Sequence, residues 1–182
     1  MQRKIFVAIN FDGSTKKYIH RKLNPLIKTI NAKWVPSENY HLTLSFLGYQ
    51  NDNTLINICA LLSKSLAGEN IFDITFDSFA WGPDSVRKKM IWLQGPRNNC
   101  LSEIRKLVEE TISSMETDAK QFRPHVTLAR LQKKRVQSTE TIIDLSSIDI
   151  RAVIPVYSID VMESIFENGK KTYQTLDSIE LV

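Results

Sequence analysis

Residues 40–48 read YHLTLSFLG, and residues 124–130 read PHVTLAR. Each places a His two positions before a Thr, in a run that alternates polar and apolar. Side chains alternate across a strand, so residues two apart share a face. His41, Thr43 and Ser45 therefore share one face, while Leu42, Leu44 and Phe46 take the other and are expected in the core. His125 and Thr127 likewise oppose Val126 and Leu128. The chain has three His, and two of them occupy these matching contexts, 84 residues apart (125 − 41).

The surroundings of the two motifs also repeat. RKIFVAIN (3–10) reads as a strand rich in Ile, Val and Phe. A helix follows, with Ser14 or Thr15 as candidate cap, apolar residues from Tyr18 to Ile30 at near-helical spacing, and Pro25 expected to kink or divide it. AKWV is a short strand stopped by Pro36, and HLTLSFL comes next. Asp52 or Asn53 is the candidate cap of a second helix, closed by Gly68. IFDITFDSFAW (71–81) alternates at period two and reads as one strand, followed by the strand KMIWLQG. A helix bearing Leu101, Ile104, Leu107, Val108 and Ile112 leads to HVTLARL. The tail, IPVYSIDVMESIF and KTYQTLDSIEL around Asn168-Gly169, carries a strong hairpin signal. Strand, helix and H-x-T strand thus occur twice, which predicts an α+β fold of two similar lobes within one domain over residues 1–182.

If the lobes face each other, two imidazoles and two hydroxyls converge. That set suits phosphodiester chemistry. An imidazole titrates near neutrality, so one neutral ring can activate water while one protonated ring donates to the departing oxygen. Thr hydroxyls can bind the non-bridging phosphate oxygens. Metal chemistry fits less well. Two His fall short of the three or four protein ligands of a stable zinc site, and neither motif carries Asp, Glu, Cys or a second His on its face. No G-x-S-x-G is present for a Ser nucleophile. His20, between basic residues in YIHRKL, reads as a helix-surface residue.

Composition sets the bounds. Hydrophobic residues make up 42% and charged residues 24%, a globular balance with a buriable core. The net charge of +4 permits a polyanionic partner without demanding one. Basic runs occur at Arg87-Lys88-Lys89 and Lys133-Lys134-Arg135, which on charge alone read as solvated turns. Two isolated cysteines make neither a disulfide framework nor a zinc cluster, and Cys59 reads as a buried thiol. The apolar run near the N-terminus, Ile5 to Ile9, is too short for a signal-peptide core, and no later run could span a bilayer. A reduced cytoplasmic location and no membrane are expected.

Longer strings now carry a resemblance. KIFVAIN, KWVPSENYHLTLSFLG (33–48), MIWL, FRPHVTLAR (122–130) and VMESIFENGKKTYQTL together resemble the two-histidine (2H) phosphoesterase superfamily. Within it they resemble the RNA 2′,3′-cyclic phosphodiesterases, also called 2′-5′ RNA ligase-like proteins. The resemblance implies a bilobal, pseudo-twofold α+β fold of mainly antiparallel sheet with outer helices and a central cleft. It implies metal- and cofactor-free hydrolysis of a 2′,3′-cyclic phosphate at an RNA 3′ end to a 2′-phosphate, by a monomer. His41 would be the proton donor and His125 the proton acceptor; Thr43, Thr127 and Arg130 would bind the phosphate. Arg130 poses a conflict, because it lies five residues after His125 and an ideal strand would turn it away; a bulge or strand end must re-aim it. Related chemistry, 2′-5′ RNA ligation or cleavage of 2′-5′ oligonucleotides, uses the same acid–base pair. A non-catalytic RNA-end binding module is a further alternative.

Overall fold

A computed structural model of the chain describes residues 2–83, 89–112, 122–131, 144–145 and 148–182. In chain order the first half holds β1 (Gln2–Asn10), α1 (Gly13–Thr29), β2 (Lys33–Trp34), a 3-10 turn (Ser37–Asn39), β3 (His41–Asn51) and α2 (Asp52–Ser65). Then come β4 (Phe72–Phe76), β5 (Ser78–Gly82), β6 (Met90–Gln94), α3 (Asn99–Thr111) and β7 (His125–Arg130). β8 (Ala152–Val156), β9 (Ser158–Glu167) and β10 (Lys170–Glu180) follow among the described residues. These strands form a sheet in the order β10-β9-β1-β3, a second in the order β2-β7-β6-β5, and the two-stranded pair β4-β8. All pairings are antiparallel, so the α+β class holds.

The expected repetition is present in the pairing. β1, α1, β3 and β6, α3, β7 are each a strand, a helix and a strand antiparallel to the first. Ile5 to Ile9 of β1 are all buried, as a central strand covered on both faces requires. Ile19, Leu23 and Leu26 of α1 and Leu101, Ile104 and Val108 of α3 form the buried stripes of their helices. They share one core with Val7, Leu42, Leu93 and Val126.

Several local expectations change. Asp12, not Ser14 or Thr15, caps α1, accepting from the backbone N–H groups of both residues at 2.7 and 2.9 Å. Asn51, rather than Asp52 or Asn53, caps α2 by accepting from the Thr54 N–H. Pro25 does not divide α1, which continues to Thr29. The single strand expected over 71–81 is two. Phe72 to Phe76 pair with β8, then the Asp77 N–H bonds to the Gln94 carbonyl and the chain transfers to β6. Period-two alternation fixes faces but not partners. The hairpin at Asn168-Gly169 is present, with both residues at positive φ. β2 belongs to the first half in sequence, yet it pairs with β7 in the second sheet. Most of Arg87-Lys88-Lys89 and all of Lys133-Lys134-Arg135 lie outside the described residues. No described helix is long and apolar enough to cross a membrane.

Candidate active site

β3 is an edge of the first sheet, and it approaches β7 of the second. The two motifs therefore face a common space, and each is built in the same way. The His41 Nδ1–H donates to the Asn39 carbonyl at 2.8 Å, and the His125 Nδ1–H donates to the Arg123 carbonyl at 2.7 Å. In both, the acceptor is the backbone two residues upstream. This fixes the tautomer, leaving Nε2 of each neutral ring with its lone pair available. His41 Nε2 lies 3.1 Å from Thr43 Oγ1, so the His and Thr of the first motif share a face as their spacing predicts.

The partner strands match as well. His41 stands opposite Asn10 and Thr43 opposite Ala8 on β1, while His125 stands opposite Gln94 and Thr127 opposite Trp92 on β6. Immediately after each Thr the register shifts. Val7 faces Ser45 while Ala8 faces Thr43, which leaves Leu44 unmatched; Ile91 faces Ala129 while Trp92 faces Thr127, which leaves Leu128 unmatched. Both H-x-T-x strands thus bulge at the fourth residue of the motif. A bulge inserts one residue and reverses the parity of the strand beyond it. Hence Leu44 and Ser45, and Leu128 and Ala129, are consecutive buried pairs.

That bulge resolves the conflict over Arg130. Its guanidinium lies 3.3 Å from Met90 Sδ, and Met90, Trp92 and Gln94 alternate along the unbulged β6 on the face that meets His125. The same device overturns the expectation for Phe46. Phe46 occupies the first motif's counterpart of Arg130, five residues after the His, and it is 55% exposed rather than in the core. It pairs with Phe6, whose ring lies 5.1 Å from that of His41. Aligning the two motifs residue by residue is the sequence signal that would have found it.

Other neighbours were invisible in the sequence. Tyr173 on β10 meets the His41 ring edge-on at 4.7 Å, and Phe6, Ala8, Met162 and Tyr173 form a small apolar floor beside it. Lys16 Nζ donates to Asn10 Oδ1 at 2.7 Å and to the Glu38 carbonyl at 3.0 Å. Trp92 stacks on His125 with ring centroids 3.9 Å apart. Tyr40 is fully buried, and its hydroxyl lies 3.3 Å from His20 Nδ1, so His20 is half-buried against the core rather than a plain surface residue.

The electrostatics favour neutral rings. Burial pushes His41 down from 6.5 to about 4, with help from the charges of Lys16, Lys171 and His125 and against the pull of the Asn39 carbonyl. Burial also lowers His125, opposed by the Arg123 carbonyl and assisted by the Arg130 charge. An anion entering between them would offset these cations and favour protonation. Among the described residues, no three His, Cys, Asp or Glu side chains cluster in a way that could hold a metal ion.

The stack on His125 depends on a glycine. A Cβ on Gly82, in β5 next to β6, would lie 2.2 Å from the Trp92 ring. Gly82→Ala is expected to destabilise the protein by about 1–3 kcal/mol, read by urea unfolding, and to shift the tryptophan emission as the Trp92 ring moves.

Two sheets that bring paired H-x-T-x strands together define the class of two-histidine phosphoesterases. The fold is similar to that of E. coli LigT complexed with 3′-AMP, with a TM-score of 0.80 at 20% identity, covering 100% of this chain and 99% of that one. It is also similar to a Thermus thermophilus structure, with a TM-score of 0.73 at 20% identity over 97% of each chain. Residues 17–92 match the family described as LigT like phosphoesterase. A Methanocaldococcus jannaschii protein named RNA 2′,3′-cyclic phosphodiesterase is 30% identical over 130 residues, 71% of this chain and 72% of that protein. A Thermotoga maritima protein of the same name is 28% identical over 134 residues, 71% of this chain and 70% of that protein. The chain belongs to the LigT-like RNA 2′,3′-cyclic phosphodiesterase family of two-histidine phosphoesterases.

Proposed function

We propose that this protein hydrolyses the 2′,3′-cyclic phosphate at RNA 3′ ends to a 2′-phosphate, with His41 as proton donor and His125 as proton acceptor. The observation that carries this is the matched setting of the two rings, each with Nδ1–H held by a backbone carbonyl two residues upstream. His125 Nε2 takes a proton from water as the water oxygen attacks phosphorus. The bond from phosphorus to the 3′ oxygen breaks, and that oxygen takes the proton of His41 Nε2. The product carries a 3′-hydroxyl and a 2′-phosphate, so atoms and charge balance. Thr43 and Thr127 donate hydrogen bonds to the non-bridging oxygens, and Arg130 supplies positive charge to them. The names of the curated relatives support the choice of substrate.

On this proposal residues 1–182 act as one domain of two lobes, a monomer working in the cytoplasm without metal or other cofactor. The single core shared by both sheets supports the one-domain assignment, and two unpaired cysteines suit a reducing compartment. The test is product analysis with a short RNA ending in a 2′,3′-cyclic phosphate, with and without a chelator. A 2′-phosphate formed at an unchanged rate is expected. A 3′-phosphate, or a chelator-sensitive rate restored by metal, would overturn the mechanism; joining to an added 5′-hydroxyl strand in place of hydrolysis would reassign the reaction.

A further inference from the structure

The end of the second sheet that carries His125 opens into a pocket of about 540 Å³. Gln94, the cross-strand partner of His125, and Pro124, its chain neighbour, both line it, so the pocket begins where the candidate active site stops. Its remaining walls are mainly cationic. Arg97 comes from the loop before α3, Arg105 and Lys106 from α3, and Arg123 from the segment entering β7, with Phe122 as an apolar side. The one carboxylate in the described lining, Glu109, is bonded to Arg105, and Lys106 has only an exposed ion pair with Glu110 at 3.6 Å, just outside the lining.

Two details mark the pocket as unsatisfied rather than merely basic. The Arg105 Nε is buried without a hydrogen-bond partner among the described residues, although its guanidinium is held over the Phe122 ring at 4.3 Å and tied to Glu109. A buried donor left unpaired is costly. Arg97 is exposed and has no ion-pair partner among the described residues. An anion of tetrahedral oxygens would pair with Arg97, because guanidinium groups bind phosphate in a fixed fork geometry, and would reach the Arg105 Nε once that side chain turns toward it.

We propose that this pocket binds an internucleotide phosphate of the RNA strand leading up to the cyclic end, so that the preferred substrate is an oligonucleotide rather than a mononucleotide. This rests on the RNA-end assignment above and extends it from the reacting phosphate to the strand behind it. A chain of nucleotides whose last phosphate lies at His125 can continue past Gln94 into the cationic walls.

The test is direct binding of reaction products, which needs no turnover and so separates this proposal from the catalytic one. A mononucleoside 2′-phosphate and a trinucleotide ending in a 2′-phosphate are titrated into the parent protein and into the double variant Arg97→Gln/Lys106→Gln. Neither substituted side chain takes part in the contacts of His41 or His125 described above. The trinucleotide is expected to bind the parent about tenfold tighter at low salt. Its log–log salt dependence should be steeper by about 0.7 per additional phosphate engaged. The double variant should lose most of that advantage, with mononucleotide affinity held within about twofold. Equal affinity for the two ligands, an equal loss for both in the variant, or a trinucleotide advantage that survives in it would each overturn the proposal. Failure of cyclic-phosphate hydrolysis with this binding pattern intact would overturn the catalytic assignment alone.

Discussion

His41→Ala and His125→Ala are each expected to lower kcat on a cyclic-phosphate RNA end by about 10²–10⁴-fold, the range for loss of one general acid or base. The double variant should lose little more than the worse single one, because the two rings serve one displacement and their effects do not add. Folding is a separate question, since both rings are packed. His41 lies between Phe6 and Tyr173, and His125 lies against Trp92. Asn at each position, compared with Ala by urea unfolding, separates lost packing from lost proton transfer. The two roles also differ in a measurable way. An ester whose departing alcohol is strongly acidic, such as a nitrophenyl phosphodiester, needs no proton donor. On that substrate His41→Ala should recover most of its activity, and His125→Ala should not. Recovery in His125→Ala alone would exchange the two roles, and full activity of either single variant on RNA ends would end the two-histidine mechanism.

The second large effect is on pH. Both rings are depressed in the ligand-free protein, His41 to about 4 and His125 below its ordinary value, chiefly by burial. Catalysis needs one proton on the pair. Above both values the pair is mostly empty, so kcat/KM, which reports the free enzyme, should fall about tenfold per pH unit above pH 6.5. The optimum of kcat/KM should lie on the acid side of 6.5. A bound phosphate adds negative charge beside both rings and raises their pKa values, so the kcat profile should peak at higher pH than kcat/KM. A kcat/KM flat between pH 6.5 and 8.5 would show that at least one ring is raised rather than lowered in the free protein.

The legible part of the site ends at Thr43 and Thr127. Up to that residue, period-two alternation places side chains correctly, and the Nδ1 bonds to Asn39 and Arg123 keep the His rings where the spacing puts them. One residue later the rule fails, because Leu44 and Leu128 bulge and an ordinary Leu carries no mark of it. The failure explains two outcomes at once: Phe46 was expected in the core, and Arg130 looked as if it pointed away. The fold shows a similar boundary. Alternation found the strand residues of 71–81 but could not show the transfer from β8 to β6 at Asp77, which depends on a hydrogen bond to Gln94. Tyr173 reaches His41 from a strand distant in the chain, and Lys16 turns back onto Asn10 from the helix that follows β1; period-two alternation anticipates neither contact.

The placement of β9 and β10 has a temporal consequence. β1, synthesised before both of its neighbours, has one edge covered by β3 and the other by β9. The first sheet therefore waits for the β9–β10 hairpin, and the Tyr173 ring that packs against His41 is synthesised long after it. Until then a nascent chain presents β1 with an open edge of apolar residues, a surface for chaperones to cover. His41 does not gain its full setting until that hairpin has docked and brought Tyr173 against its ring.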